Sequence, residues 1–220
     1  MKIEIWSDVV CPWCYVGKRR FEAALHRFEH RDEVEVVWRA FELDPTAPPE
    51  RQHDYAGHLA SKYGVSRGRA QDMISRMTAT GADVGVEFRF DIARPGNTFD
   101  AHRLVHLAGL RGRQDAVVER LFAATFEEGR RVGDRATLAD VGVEAGLDGD
   151  EVRDVLDSGA YADEVRADER QARAFGITAV PFFVIDRAYA VAGAQAPEAL
   201  VQVLDESWAA TQTPVVSGPS

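Results

Sequence analysis

Both cysteines of this 220-residue chain lie in one four-residue segment, Cys11-Pro12-Trp13-Cys14. A short apolar, strand-like segment precedes them and a helix-like segment follows, so Cys11 is expected to begin a helix. Backbone N–H groups without helical partners and the positive end of the helix dipole then favour a thiolate over a thiol. The three-residue spacing brings Cys14 close enough to attack a mixed disulfide on Cys11. The segment therefore predicts a redox-active dithiol, with Cys11 as the nucleophile and Cys14 as the resolving thiol.

A zinc site and a structural disulfide are the alternative interpretations of the two cysteines. A closed structural zinc site needs four ligands, and only His26/His30 and His102/His106 have the one-turn spacing that lets a helix aim two histidines at a metal. The proline between the cysteines and the strand-then-helix setting fit a redox motif better. A disulfide that closes so short a loop would add little stability, because it removes little chain entropy. We therefore expect no bound metal.

The composition indicates a folded protein with a sizeable core, because 45% of the residues are hydrophobic and 28% are charged. The net charge of −10 disfavours nonspecific binding to phosphate backbones and anionic lipid, so neither nucleic acid nor a membrane is an expected partner. Two local basic clusters, residues 18–20 and 111–113, are interpreted as solvated helix faces or helix ends. No segment resembles a signal peptide or reaches a membrane-spanning length, so we expect a cytoplasmic protein.

The first 41 residues predict a β-α-β unit that positions the cysteines. Residues 2–6 alternate apolar and polar side chains, and residues 16–28 place apolar side chains at helical spacing. Residues 34–41 are β-branched and aromatic and predict a second strand, nearly buried on both faces. A right-handed crossover makes the two strands parallel, with the cysteines at the carboxyl end of the first strand. Catalytic and binding groups commonly gather at that end.

A proline-containing loop at residues 44–52 ends this unit, and a long helical region follows. The predicted helices span residues 53–63, 67–80, 98–110, 114–128, 135–145, 150–158 and 161–175. The predicted N-caps are Ser66, Asp134 and Asp148, the last with Glu151 as its capping-box partner. The predicted helix terminators are Gly64, Gly112, Gly129 and Gly146.

Strand character returns near the end of the chain. Residues 182–186 and 189–192 predict a β-hairpin, because only a short link separates them. A closing helix over residues 197–209 begins with a proline, whose missing N–H does no harm there. Residues 211–220 are small, polar or proline and predict a mobile tail.

The hairpin and the two early strands together predict a four-stranded sheet assembled from both ends of the chain. The expected α/β fold has a discontinuous sheet domain, residues 1–48 and 176–210, and an inserted helical domain, residues 49–175. A strand, C-x-x-C, a helix, a strand, a hairpin and a helix form the thioredoxin arrangement. The long helical insertion resembles that of DsbA-type thiol oxidoreductases.

Four segments extend this resemblance over nearly the whole chain. They are residues 7–18 around the cysteines, Asn97-Thr98 with residues 101–104, residues 176–183, and Gly193-Ala194-Gln195. Together they look like the cytoplasmic FrnE-like branch of the DsbA family. That branch is related in fold to 2-hydroxychromene-2-carboxylate isomerases and kappa-class glutathione transferases, which typically carry serine in place of the first cysteine.

The resemblance implies roles for residues outside the cysteine pair. Pro181 matches the family's cis-proline, and Val180 before it offers backbone groups to an extended substrate beside the active sulfur. Trp13 is either a substrate-contact surface or a shield over the dithiol. The remaining candidate substrate contacts are Asn97, His102 and Gln195. Each of these three has a structural alternative, as a helix start, a histidine satisfied within the helical domain, or a turn residue.

The chain departs from its relatives at positions that tune a dithiol. Ile5 stands where thioredoxins and DsbA bury an acid beneath the active site, and no basic residue lies between the cysteines. Asp8 is the nearest alternative acid, or a turn residue at the strand end. Lys18 either favours the thiolate electrostatically or is an exposed, solvated lysine. The proton acceptor for Cys14 and the strength of the oxidant are therefore not fixed by the sequence.

The leading hypothesis is a thiol–disulfide oxidoreductase that needs no bound cofactor and acts on protein or small-molecule thiols or disulfides. Glutathione or another low-molecular-weight thiol is a candidate partner. The first alternative is a glutathione-dependent isomerase or transferase acting on a small aromatic substrate. The second is a noncatalytic binding protein with a redox-sensitive or metal-binding switch. The motif does not separate oxidase, reductase and isomerase, and it leaves the oligomeric state open.

Overall fold

The computed structural model describes residues 1–51 and 54–212. The strands are β1 (Lys2–Ser7), β2 (Glu35–Ala40), β3 (Phe182–Ile185) and β4 (Tyr189–Ala192). The helices are α1 (Pro12–Arg27), α2 (Tyr55–Tyr63), α3 (Arg67–Ala82), α4 (Phe99–Leu110), α5 (Gln114–Phe126), α6 (Arg135–Glu144), α7 (Gly149–Asp157), α8 (Ala162–Ala174) and α9 (Pro197–Gln212). Within these ranges, no helix is both long and apolar enough to span a bilayer.

The four strands form one mixed sheet in the order β2-β1-β3-β4. β1 pairs parallel with β2 and antiparallel with β3, which pairs antiparallel with β4. Ile5 lies opposite Trp38 on one side and Phe183 on the other, so the most buried strand is flanked by apolar partners. The predicted α/β class, with parallel early strands and a late hairpin, is confirmed.

The prediction that β2 is nearly buried on both faces is wrong. Glu35 is exposed, Arg39 is half-buried, and only Trp38 and Ala40 of this strand are buried. Trp38 and Ala40 point to the same face of the strand, so the packing that buries them covers one face of this edge strand, and the face with Glu35 and Arg39 stays more open.

The helix ends follow local capping signals closely. The Ser66 and Asp134 side chains accept hydrogen bonds from the backbone N–H groups of Arg69 and Thr137. Asp148 likewise caps α7, but the predicted capping-box role of Glu151 is wrong, because its carboxylate pairs with Arg111 instead. The four predicted terminator glycines adopt positive φ.

The start of α2 and the end of α9 differ from the predicted boundaries. His53, the predicted first residue of a helix, lies outside the described residues, and α2 begins at Tyr55. The predicted tail begins too early, because α9 continues through residues 211 and 212. The rest of the predicted tail, residues 213–220, lies outside the described part of the chain.

The basic cluster of residues 18–20 is not a solvated helix face, which corrects the sequence-based interpretation. Lys18 is 1% exposed, and its Nζ lies 3.2 Å from Asp115 and 3.1 Å from Glu119 of α5. Arg20 donates a hydrogen bond to the carbonyl oxygen of Ala194 at 2.6 Å. Packing of α5 and of the loop before α9 against α1 covers this face, so these cations join elements rather than face solvent.

The sheet and the inserted helices share one hydrophobic cluster, which contains Ile5 and Phe183 together with Leu104 and Phe122. Hydrogen bonds also join the inserted helices to the sheet. The Gln114 side chain bonds both backbone groups of Trp38, accepting at 2.9 Å and donating at 3.1 Å. The helical insertion therefore packs directly on the sheet that carries the cysteine segment.

Candidate active site

The cysteine segment joins β1 to α1 in the way that the sequence predicts. The Cys11 N–H donates to the carbonyl oxygen of Asp8 at 3.0 Å, which closes the turn after β1. Cys11 has extended backbone angles and is the N-cap of α1, with Pro12 at the first helical position. Its carbonyl oxygen accepts hydrogen bonds from the N–H groups of Cys14 and Tyr15. Cys14 therefore lies in the first turn of the helix, directly behind Cys11.

The two cysteines differ in their access to solvent. They lie 3.4 Å apart, and neither is in a disulfide. Cys11 is 6% exposed and lines a cavity, whereas Cys14 is fully buried. Burial raises the pKa of the Cys14 thiol well above its usual range, and the adjacent Cys11 raises it further. A molecule that enters the cavity thus meets Cys11 first.

Residues from the far end of the chain complete the wall beside Cys11. The peptide bond between Val180 and Pro181 is cis, as the resemblance implies. The Cys11 thiol donates to the carbonyl oxygen of Val180, at a distance of 3.7 Å from the sulfur. Gly17 of α1 permits this approach, because a Cβ added there would lie 2.7 Å from Cγ of Pro181.

Buried charge lies beneath the cysteine segment. One oxygen of Asp8 accepts the Leu43 N–H at 2.7 Å, and the other lies 3.6 Å from Nε2 of His102. Burial by itself lowers the pKa of His102, but the carboxylates of Asp8, Glu42 and Asp168 raise it overall. Asp8 therefore holds the backbone just after β2 and also faces a histidine whose pKa it raises.

The other sequence-predicted substrate contacts fall into two groups. Trp13 is 47% exposed and lines the cavity with Val180. Asn97, His102 and Gln195 do not line it. Asn97 accepts from the Phe99 N–H at 3.0 Å, and Gln195 donates to the carbonyl oxygen of Ala192 at 2.7 Å. These three side chains are thus engaged within the protein, while Trp13 and Val180 face the space beside Cys11.

The cavity has a volume of about 800 Å³ and extends from Cys11 to helices α2 and α3. Its apolar wall comprises Tyr55, Leu59, Met73, Ile74, Met77 and Phe90. Burial raises the pKa of the Tyr55 hydroxyl, and the nearby Cys11 raises it further. The sequence did not single out these residues. Their only sequence signal is the helical spacing of apolar side chains in α2 and α3, which does not say what those helices face.

Over residues 1–51 and 54–212, no group of three or more His, Cys, Asp and Glu side chains is placed to hold a metal ion.

Residues 2–205 match the DSBA-like thioredoxin domain family. The uncharacterised protein YwbO of Bacillus subtilis (strain 168) is 33% identical over 185 residues, which cover 83% of this chain and 86% of YwbO. Among solved structures, the probable DsbA oxidoreductase SCO1869 from Streptomyces coelicolor is 48% identical, with a TM-score of 0.92 and coverage of 100% of this chain and 94% of its own.

A more distant solved structure shares the fold alone. The cytosolic disulfide reductase DsbM from Pseudomonas aeruginosa, determined with glutathione, is 17% identical to this chain. The superposition has a TM-score of 0.67 and covers 95% of this chain and 100% of DsbM.

Proposed function

We propose that this chain, which belongs to the DSBA-like thioredoxin domain family of oxidoreductases, exchanges thiols and disulfides through Cys11 and Cys14. The observation that carries the proposal is the unequal access to a close pair of sulfurs. Cys11 lines a cavity, and Cys14 is fully buried 3.4 Å behind it. In such a pair, the accessible Cys11 can attack the substrate, and the buried Cys14 can resolve the mixed disulfide.

The proposed reaction has two exchange steps. The Cys11 thiolate attacks one sulfur of a substrate disulfide, the substrate S–S bond breaks, and one substrate thiolate leaves. Cys14 then gives its proton to the departing substrate thiolate or to water and attacks the Cys11 sulfur of the mixed disulfide, which releases the second substrate thiolate. The substrate gains two electrons, and the protein is left with a Cys11–Cys14 disulfide. The reverse sequence oxidises a dithiol substrate.

Val180 and Pro181 are proposed to position the substrate. The Val180 carbonyl oxygen lies 3.7 Å from the Cys11 sulfur, so a backbone that pairs with Val180 would hold its own sulfur close to Cys11. The exposed indole of Trp13 offers a flat apolar surface on the same side of the cavity.

The proposal extends to partner and location. Glutathione or another low-molecular-weight thiol would reset the pair, and the cytoplasm would be the site of action. DsbM, which is described as cytosolic and was determined with glutathione, offers a precedent on the same fold. The equilibrium potential of Cys11/Cys14 against glutathione would decide whether the protein oxidises or reduces its substrate.

The stoichiometry of reaction with a small aromatic disulfide tests the proposal. We expect the reduced protein to release two thiolates and to end as an internal disulfide. Cys14→Ser should release only one thiolate and keep the other half of the reagent on Cys11. Cys11→Ser should react far more slowly, because Cys14 is fully buried. If Cys11→Ser reacts as fast as the unchanged protein, the proposal fails.

The size and apolar lining of the cavity also favour a second candidate, a glutathione-dependent isomerase or transferase acting on a small aromatic substrate. In that reaction one activating thiol is enough, and Cys14 has no role. Turnover of an aromatic substrate that survives Cys14→Ala would support this candidate over disulfide exchange.

A further inference from the structure

The cavity beside Cys11 is shaped for a small molecule. Its volume of about 800 Å³ lies in the range of roughly 300–1,000 Å³ that is typical of ligand pockets. Cys11 and Val180 form one side, and α2 and α3 form the opposite side with Leu59, Met73 and Met77. This wall can remove an apolar body from water while a sulfur reaches Cys11.

Four cations line this cavity, and besides Arg51 they are Lys62 at the end of α2 and Arg69 and Arg76 on α3. The last three form the cationic part of the α2–α3 side. None of the three forms an ion pair with any acidic residue in the described part of the chain. Their neighbours differ, because Arg51 pairs with Asp44 and Arg67 pairs with Asp54.

The absence of acidic partners for these cations is informative because acids outnumber bases in this chain by 36 to 26. Most arginines elsewhere in the described residues have an acidic partner, as Arg120 has in Glu128 and Glu144. Burial lowers the pKa of the neighbouring His58, and the cations Arg51 and Lys62 lower it further. The α2–α3 side of the cavity therefore has excess positive charge.

The spacing along α3 directs two of the cations to one face. Arg69 and Arg76 are two helical turns apart, a rise of about 10 Å, and Met73 lies between them on the same face. An apolar strip with a cation at each end suits a ligand that has an apolar middle and anionic groups.

We propose that the substrate of Cys11 is a low-molecular-weight disulfide or thiol with an apolar, preferably aromatic, body and at least one carboxylate, which Lys62, Arg69 and Arg76 bind. This inference rests on the proposed function and adds the chemical class of the substrate. The exchange itself is the one already written: the Cys11 thiolate forms a bond to one substrate sulfur, the substrate S–S bond breaks, and the other sulfur leaves as a thiolate.

Two aromatic disulfides of different charge test the proposal. 5,5′-Dithiobis(2-nitrobenzoic acid) has a carboxylate on each ring, and 4,4′-dithiodipyridine is neutral at pH 7. We expect the combined variant Arg69→Gln/Arg76→Gln to lower the ratio of the two rate constants, charged over neutral, by about tenfold or more, which corresponds to about 1.4 kcal/mol. High salt should lower the same ratio in the unchanged protein, because it screens the attraction.

The matched control is Arg173→Gln. Arg173 is exposed near the end of α8 and does not line the cavity, so this variant should keep the unchanged protein's ratio. The two reagents have different leaving groups, but this difference is the same for every protein variant. It therefore cancels when the charged-over-neutral ratio of one variant is divided by that of another.

The outcomes separate the two proposals. A ratio that Arg69→Gln/Arg76→Gln leaves unchanged, or changes no more than Arg173→Gln does, overturns the substrate class and leaves the proposed function standing. Reaction of Cys11→Ser with both reagents at the full rate overturns the proposed function itself.

Discussion

A buried acid–histidine pair, Asp8 and His102, lies beneath the cysteine pair, at a different position from the one where the relatives bury an acid. Ile5, at the usual position of the buried acid, is fully buried and apolar. The buried carboxylate is instead that of Asp8, three residues further along, which is held by the Leu43 N–H and faces His102. The sequence identified both residues but not their contact, because His102 comes from α4 and the two meet only when the insertion packs on the sheet.

The raised pKa of His102 predicts a pH dependence of stability. The neighbouring carboxylates raise the pKa of His102 above its usual 6.5, although burial opposes them. The folded protein thus holds this proton more tightly than the unfolded chain does. The resulting stabilisation is fully present below pH 6.5 and is lost as the pH rises through the folded-state pKa. We expect His102→Gln to cost more stability at about pH 5.5 than at about pH 8.5, as measured by urea unfolding. An equal cost at both values would contradict this prediction.

The contact between α1 and the loop before β3 sets the geometry of the site. Gly17 is the point of closest approach, since a Cβ there would lie 2.7 Å from the ring of Pro181. The Val180-Pro181 motif predicts the loop. The residues around Gly17 give no sign that this loop packs against Gly17.

The variant Gly17→Ala tests this contact. Overpacking costs about 1–3 kcal/mol, which should outweigh the gain of about 1 kcal/mol in helix propensity. We therefore expect lower stability in urea unfolding and slower reaction of Cys11 with an aromatic disulfide, because Val180 is displaced. The control is Gly68→Ala in α3, where the nearest atom to the added Cβ is 4.0 Å away. That variant should be neutral or stabilising, and an identical effect of the two variants would refute the role of Gly17.

Local signals predicted the elements well and their faces poorly. Caps such as Ser66 and Asp148 act within one helical turn, so the local sequence predicts where these helices begin. Which side of a helix is covered depends on distant residues. That is why Lys18 was expected in solvent and is buried against α5, and why Arg69 and Arg76 were not associated with Cys11.

For the whole molecule, the shared hydrophobic cluster bears on the proposed division into a sheet domain and an inserted helical domain. The cluster contains side chains from both parts, and Gln114 of the insertion is hydrogen-bonded to Trp38 of β2. We therefore expect the sheet domain and the inserted helical domain to unfold together, although the insertion interrupts the sheet domain in the sequence.

The tryptophans allow a direct test of this cooperativity. All four, Trp6, Trp13, Trp38 and Trp208, belong to the predicted sheet domain, whereas most of the helices belong to the insertion. We expect urea unfolding curves from tryptophan fluorescence and from far-ultraviolet circular dichroism to coincide, with one midpoint and one slope. Separate midpoints would show that the insertion unfolds independently of the sheet.

Trapping of the mixed disulfide would show directly whether Cys11 attacks the substrate and buried Cys14 resolves the adduct. Cys14→Ser protein would be mixed with an aromatic disulfide and examined by intact-mass and peptide mass spectrometry, beside Cys11→Ser. We predict one stable adduct on Cys11 that a reducing agent releases, and little or no adduct on Cys14 in the matched variant. Equal labelling of the two variants, or failure of Cys14→Ser to retain an adduct, would show that the two cysteines do not have these separate roles.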